Sequence, residues 1–382
     1  MDFRWSAAQQ DYLASVSNFA RESLAADDLA ERDTKGVFWR EGWQRCARFG
    51  ILGLPVPVEH GGGGRDRLTI VGALEELGYA CRDNGLLFAL NAHLWGCVTP
   101  LLAFGGEQQK ERYLAGLCDG SLVGALAMTE AGSGSDAYNI QTTAEARDGG
   151  YVLNGDKVFV TNAPVADVLV VIARTDPADG PGSFSAFLVD HATPGLRTGP
   201  PVQKMGLRTA PMGAVTLSEC WVPDEARLGP VGAGMSVFTV AMEWERACIL
   251  ASAVGTMRHL LERCLSYASR HERFDAPIGR FQAVAHKVVD MKLRLETSRL
   301  LLYHVAWSLT GVRRLPGASA LVKLHLSEAL VQTSMDAYQI HGGSGYLTEQ
   351  GLERQVRDAL AAPLYSGTSD IQRNIVARSL GL

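Results

Sequence analysis

Length alone argues against a single compact core: 382 residues are enough for two or three domains sharing one catalytic unit. The composition, 20% charged and 47% apolar, is that of an ordinary globular protein and excludes a disordered one. A net charge of −5, with basic residues spread along the chain, leaves no footprint for nucleic acid.

The opening MDFRWSAAQQDYLASV lacks an apolar core followed by a small-residue cleavage site, so it does not read as a secretory signal. Ser6 is placed to cap the helix AAQQDYLASVSNFARESLA, and residues 69–80 and 99–117 repeat apolar side chains at three- and four-residue spacing. A glycine-rich turn at 60–64 separates the first helices. The longest strongly apolar stretch is read at 168–173, far short of the roughly 20 residues a bilayer needs, so no membrane span is expected.

From about 121 to 229 the pattern changes to short β-branched runs, at 151–161 with a turn at Asn154-Gly155, and at 168–173, 184–189 and 215–222. Turn residues around Pro177 and Thr193 lie between them, which predicts an antiparallel sheet or barrel. Long helices return after Gly232, at about 232–270, 280–311, 317–341 and 369–380. The expected class is α+β and multi-domain: an N-terminal α-helical domain (1–120), a middle antiparallel β-domain (121–229) and a C-terminal four-helix bundle (230–382). Strands and helices do not alternate, no G-x-G-x-x-G follows a strand, and no P-loop is present. Seven scattered cysteines, with no C-x-x-C, read as reduced thiols of a cytoplasmic protein.

Four segments carry candidate chemistry. MTEAGSGSD (128–136) exposes backbone N–H groups and hydroxyls suited to an electron-rich ring edge or a pyrophosphate, although a plain polar turn has the same composition. GDKVFVTNA (155–163) is by itself an ordinary strand. QIHGGSG (339–345) is a helix end, with Gly342 or Gly343 as a sufficient C-cap. In YSGTSDIQR (365–373), Ser369 and Gln372 form a capping box that would turn a helix N-terminus toward an anion or a flavin edge.

In their order and spacing these segments, with KMGLRT at 204–209, resemble the acyl-CoA dehydrogenase family over essentially the whole chain. The resemblance implies FAD, with Leu126, Met128, Thr129, Gly134 and Ser135 of the loop and Phe159, Val160 and Thr161 of the strand lining the flavin. Gln282, Gln339, Gly342 and Gly343 would hold the adenine and pyrophosphate end, of a neighbouring subunit's FAD, and Thr368, Ser369 and Asp370 would complete that site. Ser135, Arg246 and Gly367 would join Glu245 at the acyl thioester. Two positions depart from the family. His271 stands where an arginine usually precedes x-x-Phe-Gly, and Asp275 replaces the glycine, so Arg270 or Arg273 is the candidate for the pyrophosphate. Ser366 stands where many members carry their catalytic glutamate, and a serine cannot do that work; alanine there is expected to have a modest effect.

A thioester α-proton is weakly acidic, so its removal needs a carboxylate at the substrate and shielded from water. Relatives of the isovaleryl and long-chain type carry it on a helix before an arginine, which here is AMEWERACI and makes Glu245 the base. At 3.6 residues per turn its neighbours are Ala241, Met242, Cys248, Ile249 and, two turns on, Ser252, a mostly apolar stripe that would raise its pKa. Glu243 points about 200° away. The Glu245 backbone N–H and the flavin ribityl chain are expected to polarise the thioester carbonyl.

The expected function is FAD-dependent α,β-dehydrogenation of a small acyl thioester. The likeness is strongest to the subgroup acting on carrier-protein-tethered substrates, prolyl-carrier-protein dehydrogenases above all, which implies an acyl or peptidyl carrier partner in secondary metabolism and a homotetramer or homodimer. A short-chain or branched-chain acyl-CoA dehydrogenase of catabolism and a flavin-dependent monooxygenase on the same fold stay open beside it.

Overall fold

The computed structural model describes residues 4–176, 180–309 and 317–382. The turn expected at Pro177 and the last two residues of the helix expected to reach 311 lie outside the described residues. Seven helices come first: α1 (Ala7–Ser23), α2 (Leu29–Lys35), α3 (Arg40–Phe49), α4 (Arg67–Ala80), α5 (Asn84–His93), α6 (Thr99–Phe104) and α7 (Glu107–Asp119). Three of these starts, those of α1, α4 and α5, follow from side-chain caps, which satisfy N–H groups that a helix cannot bond internally. Ser6 and Gln9 make a reciprocal capping box on α1, Asp66 accepts from the Thr69 N–H on α4, and Asp83 accepts from the Leu86 N–H on α5. The helix expected over 99–117 is two helices, because Gly105 and Gly106, both extended, interrupt it.

The apolar stretch at 168–173 is not the longest. Residues Asn84–Phe104 form one continuous helical run, with a π-turn at Leu94–Val98, long and apolar enough to cross a membrane by length and composition. Its most apolar window is 78% buried inside the protein, and Leu86, Leu90, Leu94 and Trp95 are wholly enclosed, so it serves as a core helix.

The middle of the chain is an eight-stranded sheet: β1 (Gly124–Ala127), β2 (Thr143–Arg147), β3 (Gly150–Thr161), β4 (Val168–Arg174), β5 (Phe184–Asp190), β6 (Leu196–Thr198), β7 (Met212–Pro223) and β8 (Arg227–Leu228). The order is β6-β7-β3-β2-β4-β5-β8, with β1 pairing β4. Most ladders are antiparallel, as expected, but β1 runs parallel to β4, so the sheet is mixed. Asn154-Gly155 is not a turn. It lies inside β3, and the bulge is on the partner strand: between the pairs Leu153–Cys220 and Gly155–Leu217, Asn154 alone faces Ser218 and Glu219 of β7, with Glu219 at φ +47. The hairpin turn is at Asp148-Gly149, both with positive φ, joining β2 to β3.

The last region contains α8 (Gly234–Cys248), α9 (Ala251–Arg270), α10 (Gln282–Ser308), α11 (Ala318–Ile340), α12 (Leu352–Ala359) and α13 (Ser369–Ser379). The helix expected over 232–270 is broken at Ile249–Leu250, and α12 adds a helix that periodicity did not find. One apolar core joins the first and last regions, running from Leu74 and Leu90 through Val254 and Met257 to Leu295 and Leu326. The sheet packs a second core on one face, with α6, α7 and the start of α8, and a third on the other. Glycines allow α4 and α9 to touch: a Cβ on Gly78 would lie 1.8 Å from the Ser252 carbonyl oxygen, and one on Gly255 1.9 Å from that of Glu75.

Candidate active site

Glu245 lies one turn before the end of α8, where the helix meets the break at Ile249–Leu250. Ala241, Met242, Cys248 and Ile249 around it are buried, as the apolar stripe implied. Ser252 is not a further member, because it belongs to α9, beyond the break. The half-buried Glu245 carboxyl is pushed above its ordinary range by burial, against the Ser366 hydroxyl, Arg246 and Lys323, which pull it down. Next to it, Trp244 stacks on Trp95 of the π-turn with ring centres 5.4 Å apart, and the Arg67 guanidinium lies over the Trp244 ring, 4.0 Å from its centroid.

Ser366 reaches this carboxylate from across the chain, its Oγ donating to Glu245 Oε1 at 2.7 Å. Sequence reading gave Ser366 no partner at all. The loop it sits on precedes α13, whose cap is Thr368, accepting from the Ile371 N–H at 3.3 Å. The expected Ser369–Gln372 capping box is therefore absent: Ser369 is the first helical residue, and the Gln372 amide turns instead to the carbonyls of Ser366 and Gly367. Arg246 bonds the Ser366 carbonyl through Nε, so this donor faces the loop. The Glu245 N–H lies inside a regular helix and is bonded there, which removes it as the thioester donor. Among the described residues, the N–H groups of Ser366 and Gly367 make no protein hydrogen bond.

The loop after β1 is braced by a buried ion pair. Lys157, wholly enclosed on β3, donates to Glu130 Oε1 at 2.8 Å and to the Met128 carbonyl at 3.1 Å. Burial lowers the Lys157 ammonium to about 8 despite Glu130. Val158 donates to the Thr129 carbonyl at 2.8 Å, so the loop and the strand of the expected flavin site lie side by side. Leu126 is half-buried and Gly134 and Ser135 are exposed, whereas Met128 and Val160 are core residues that can offer a ligand only backbone. Phe159 is 70% exposed with φ +56, and among the described residues the hydroxyls of Thr129, Ser135 and Thr161 bond no protein group. An uncovered aromatic beside unpaired hydroxyls fits the planar, acceptor-rich edge of a flavin.

A third cluster forms around Tyr267, which stacks on His271 at 4.6 Å and on His341 at 4.2 Å. It gathers the stretch 270–282 and the end of α11. Gly342, at φ +56, ends that helix as expected; Gln339 accepts from Lys287 Nζ at 2.8 Å, and Gly343 and Gln282 are exposed. Arg270 bonds the Ser266 hydroxyl and Arg273 the Glu272 carbonyl. Asp370 is exposed beside Arg373. Among the described residues, no hydrogen bond ties this cluster to Glu245 or to the loop at 128–136 within the chain.

Behind Tyr365 lies a cavity of about 40 Å³ lined by Phe88, Ile249, Leu250, Ser252, Leu330 and Tyr365 among others, on the side of the α8–α9 break.

A chain of this α–β–α order, with one desolvated carboxylate against a clamped loop and unpaired hydroxyls held out from a mixed sheet, defines a flavoprotein oxidoreductase that acts on CH–CH bonds. The chain belongs to the acyl-CoA dehydrogenase family: family descriptions match the N-terminal domain at residues 6–121, the middle domain at 125–220 and the C-terminal domain at 232–381. Its cofactor is FAD. The chain is similar to the L-prolyl-[peptidyl-carrier protein] dehydrogenase of Serratia sp., 40% identical over 382 residues, with 100% of this chain and 99% of the relative covered. Among solved structures it resembles the prolyl acyl carrier protein oxidase AnaB, with TM-score 0.97, 46% identity and coverage of 99% of this chain and 100% of that one. It also resembles PigA, solved with FAD and proline, with TM-score 0.97, 40% identity and 100% of both chains covered.

Proposed function

We propose that the protein removes the α-proton and β-hydride of a small acyl or aminoacyl group, such as prolyl, carried as a thioester on a phosphopantetheinyl carrier protein. The carrying observation is Glu245: a carboxylate that burial makes more basic, held one turn from the end of a helix and bonded by the Ser366 hydroxyl. Glu245 takes the α-proton, and desolvation keeps it basic enough to do so. FAD supplies the hydride acceptor. The free N–H of Ser366, beside Glu245, is the donor available to a thioester carbonyl, whose polarisation acidifies the α-carbon. Thr129, Ser135, Phe159 and Thr161 would receive the flavin ring. Arg270 or Arg273, with Gln282, Gln339, Gly342 and Gly343, would hold the pyrophosphate end of a neighbouring subunit's FAD, and Thr368, Ser369 and Asp370 would complete it. The exposed apolar residues Val289, Leu293 and Leu300 along α10 support the homo-oligomer this requires. Seven free buried thiols support a cytoplasmic setting.

The similarity to prolyl-carrier-protein dehydrogenases supports the carrier. The test compares one L-prolyl group on a carrier protein and on coenzyme A, following flavin bleaching and the mass of the carrier. Faster bleaching with the carrier and loss of two or four mass units are expected. Equal or better turnover of the coenzyme A thioester rejects the carrier reading.

A further inference from the structure

Ser366 holds a conformation that a serine adopts only under constraint. Its φ is +55, and Gly367 follows at +87; the left-handed region crowds the Cβ of an L-residue against the following carbonyl oxygen. The constraint comes from three helices. The Ser366 carbonyl accepts from Gln372 Nε2 of α13 at 2.9 Å and from Arg246 Nε of α8 at 3.3 Å. The Gly367 carbonyl accepts from the same Gln372 amide at 2.8 Å and from Lys323 Nζ of α11 at 2.8 Å. Lys323 is wholly buried, and Gly367 sits at φ +87, a backbone conformation that favours glycine. Both carbonyls are thus fixed, and the hydroxyl between them is left pointing at α8, 2.7 Å from Glu245 Oε1.

We propose that Ser366 is a positioning residue for Glu245: its hydroxyl aims the carboxylate and favours its ionised form, and Lys323, Gln372 and Arg246 form the frame that aims the hydroxyl. An ionised carboxylate only accepts, so a serine donor at this distance stabilises the charged state that a base needs. Burial acts in the opposite sense on the same group, and the serine offsets part of it. A loop position that cannot itself be a base therefore still acts in the chemistry, through the carboxylate on α8. The proposal rests on the reading of Glu245 as the base.

The test uses the FAD-loaded enzyme and three replacements. Ser366→Ala and Ser366→Gly both remove the hydroxyl, but glycine relieves the left-handed backbone and alanine does not; Ser366→Thr keeps the hydroxyl on a more strained backbone. The Glu245 carboxyl band in infrared titration, assigned by its loss in Glu245→Gln, should move its midpoint up by about one pH unit in both hydroxyl-free variants and stay near wild type in Ser366→Thr. Melting temperatures should follow the backbone instead, with glycine above threonine. In rapid mixing with an L-prolyl carrier-protein thioester, the rising limb of flavin reduction should move by the same amount in both hydroxyl-free variants, leaving rates below it about tenfold lower, and should stay in place in Ser366→Thr. An unmoved carboxyl band in both hydroxyl-free variants overturns the proposal. Normal flavin reduction by Glu245→Gln instead overturns the reading of Glu245 as base, while the infrared shift still reports on Ser366.

Discussion

At the scale of single residues, the site depends on charges that are buried but never left alone. Glu130 and Lys157 illustrate this. The carboxylate accepts from Lys157, from the Thr142 hydroxyl and from the N–H groups of Gln141 and Thr142, while the lysine also bonds the Met128 carbonyl. These contacts tie the loop at 128–136 to β3 directly before the exposed Phe159. Removing one partner of such a pair leaves an uncompensated charge in an enclosed site, which costs about 3–5 kcal/mol. Glu130→Gln is therefore expected to lower the melting temperature and to release FAD, read as the flavin-to-protein ratio after gel filtration. A variant that keeps both would show that the pair does not brace the loop. The apolar neighbours of Glu245, Ala241, Met242, Cys248 and Ile249, were legible at helical spacing, while its place as the expected base came from the family resemblance. Its bond to Ser366 was not legible, because the two residues are 121 positions apart and no local pattern encodes the contact. Lys323 left a signal that went unused: a lysine three, four and seven residues before the buried Leu326, Ser327 and Leu330 lies on the inward face of its helix.

Among elements, periodicity placed the helices and strands in their right order and failed where a break or an irregularity depends on a partner. The Asn154-Gly155 pair has turn chemistry, but β3 continues through it because β7 pairs on both sides of the bulge. The break at Ile249–Leu250 has no glycine or proline to announce it, and it carries Ser252 onto α9, off the helix that holds Glu245. The crossing of α4 and α9 is the opposite case, in which composition carries the geometry. Gly78 and Gly255 let the two backbones meet, and a methyl on Gly255 would lie 1.9 Å from the Glu75 oxygen and 2.4 Å from the Tyr79 nitrogen. These are backbone atoms that cannot rotate away, so Gly255→Ala belongs at the upper end of overpacking costs, about 3 kcal/mol. The better helix propensity of alanine recovers only about 1 kcal/mol. Thermal or urea unfolding should show a clear loss of stability; a neutral or more stable variant would mean that the helices are free to separate at this point.

On the scale of the whole molecule, the helical regions share one core and the sheet is attached to them by buried polar contacts as well as by packing. His93 is one such contact. It is wholly enclosed at the end of α5, its Nε2 lies 3.1 Å from the Leu117 carbonyl of α7, and its Nδ1 lies 2.9 Å from the Gly124 N–H of β1. An N–H facing Nδ1 and a carbonyl facing Nε2 select the neutral ring with its proton on Nε2. Burial accordingly lowers its pKa to about 3, against an ordinary 6.5. The unfolded chain binds a proton near pH 6.5 that the folded chain refuses until about pH 3, so stability is present above 6.5 and is lost as the pH falls through that window. One proton corresponds to a slope of up to about 1.4 kcal/mol per pH unit. His259, lowered to about 3 by burial and by Arg82 and Arg263, adds to the same loss. His93→Gln offers an amide that can donate and accept but cannot titrate. It should be less stable at neutral pH, yet its unfolding free energy should fall more slowly between pH 6.5 and 5, by up to the equivalent of one proton. Parallel wild-type and variant curves through that interval would show that the acid sensitivity of the junction between helices and sheet arises elsewhere.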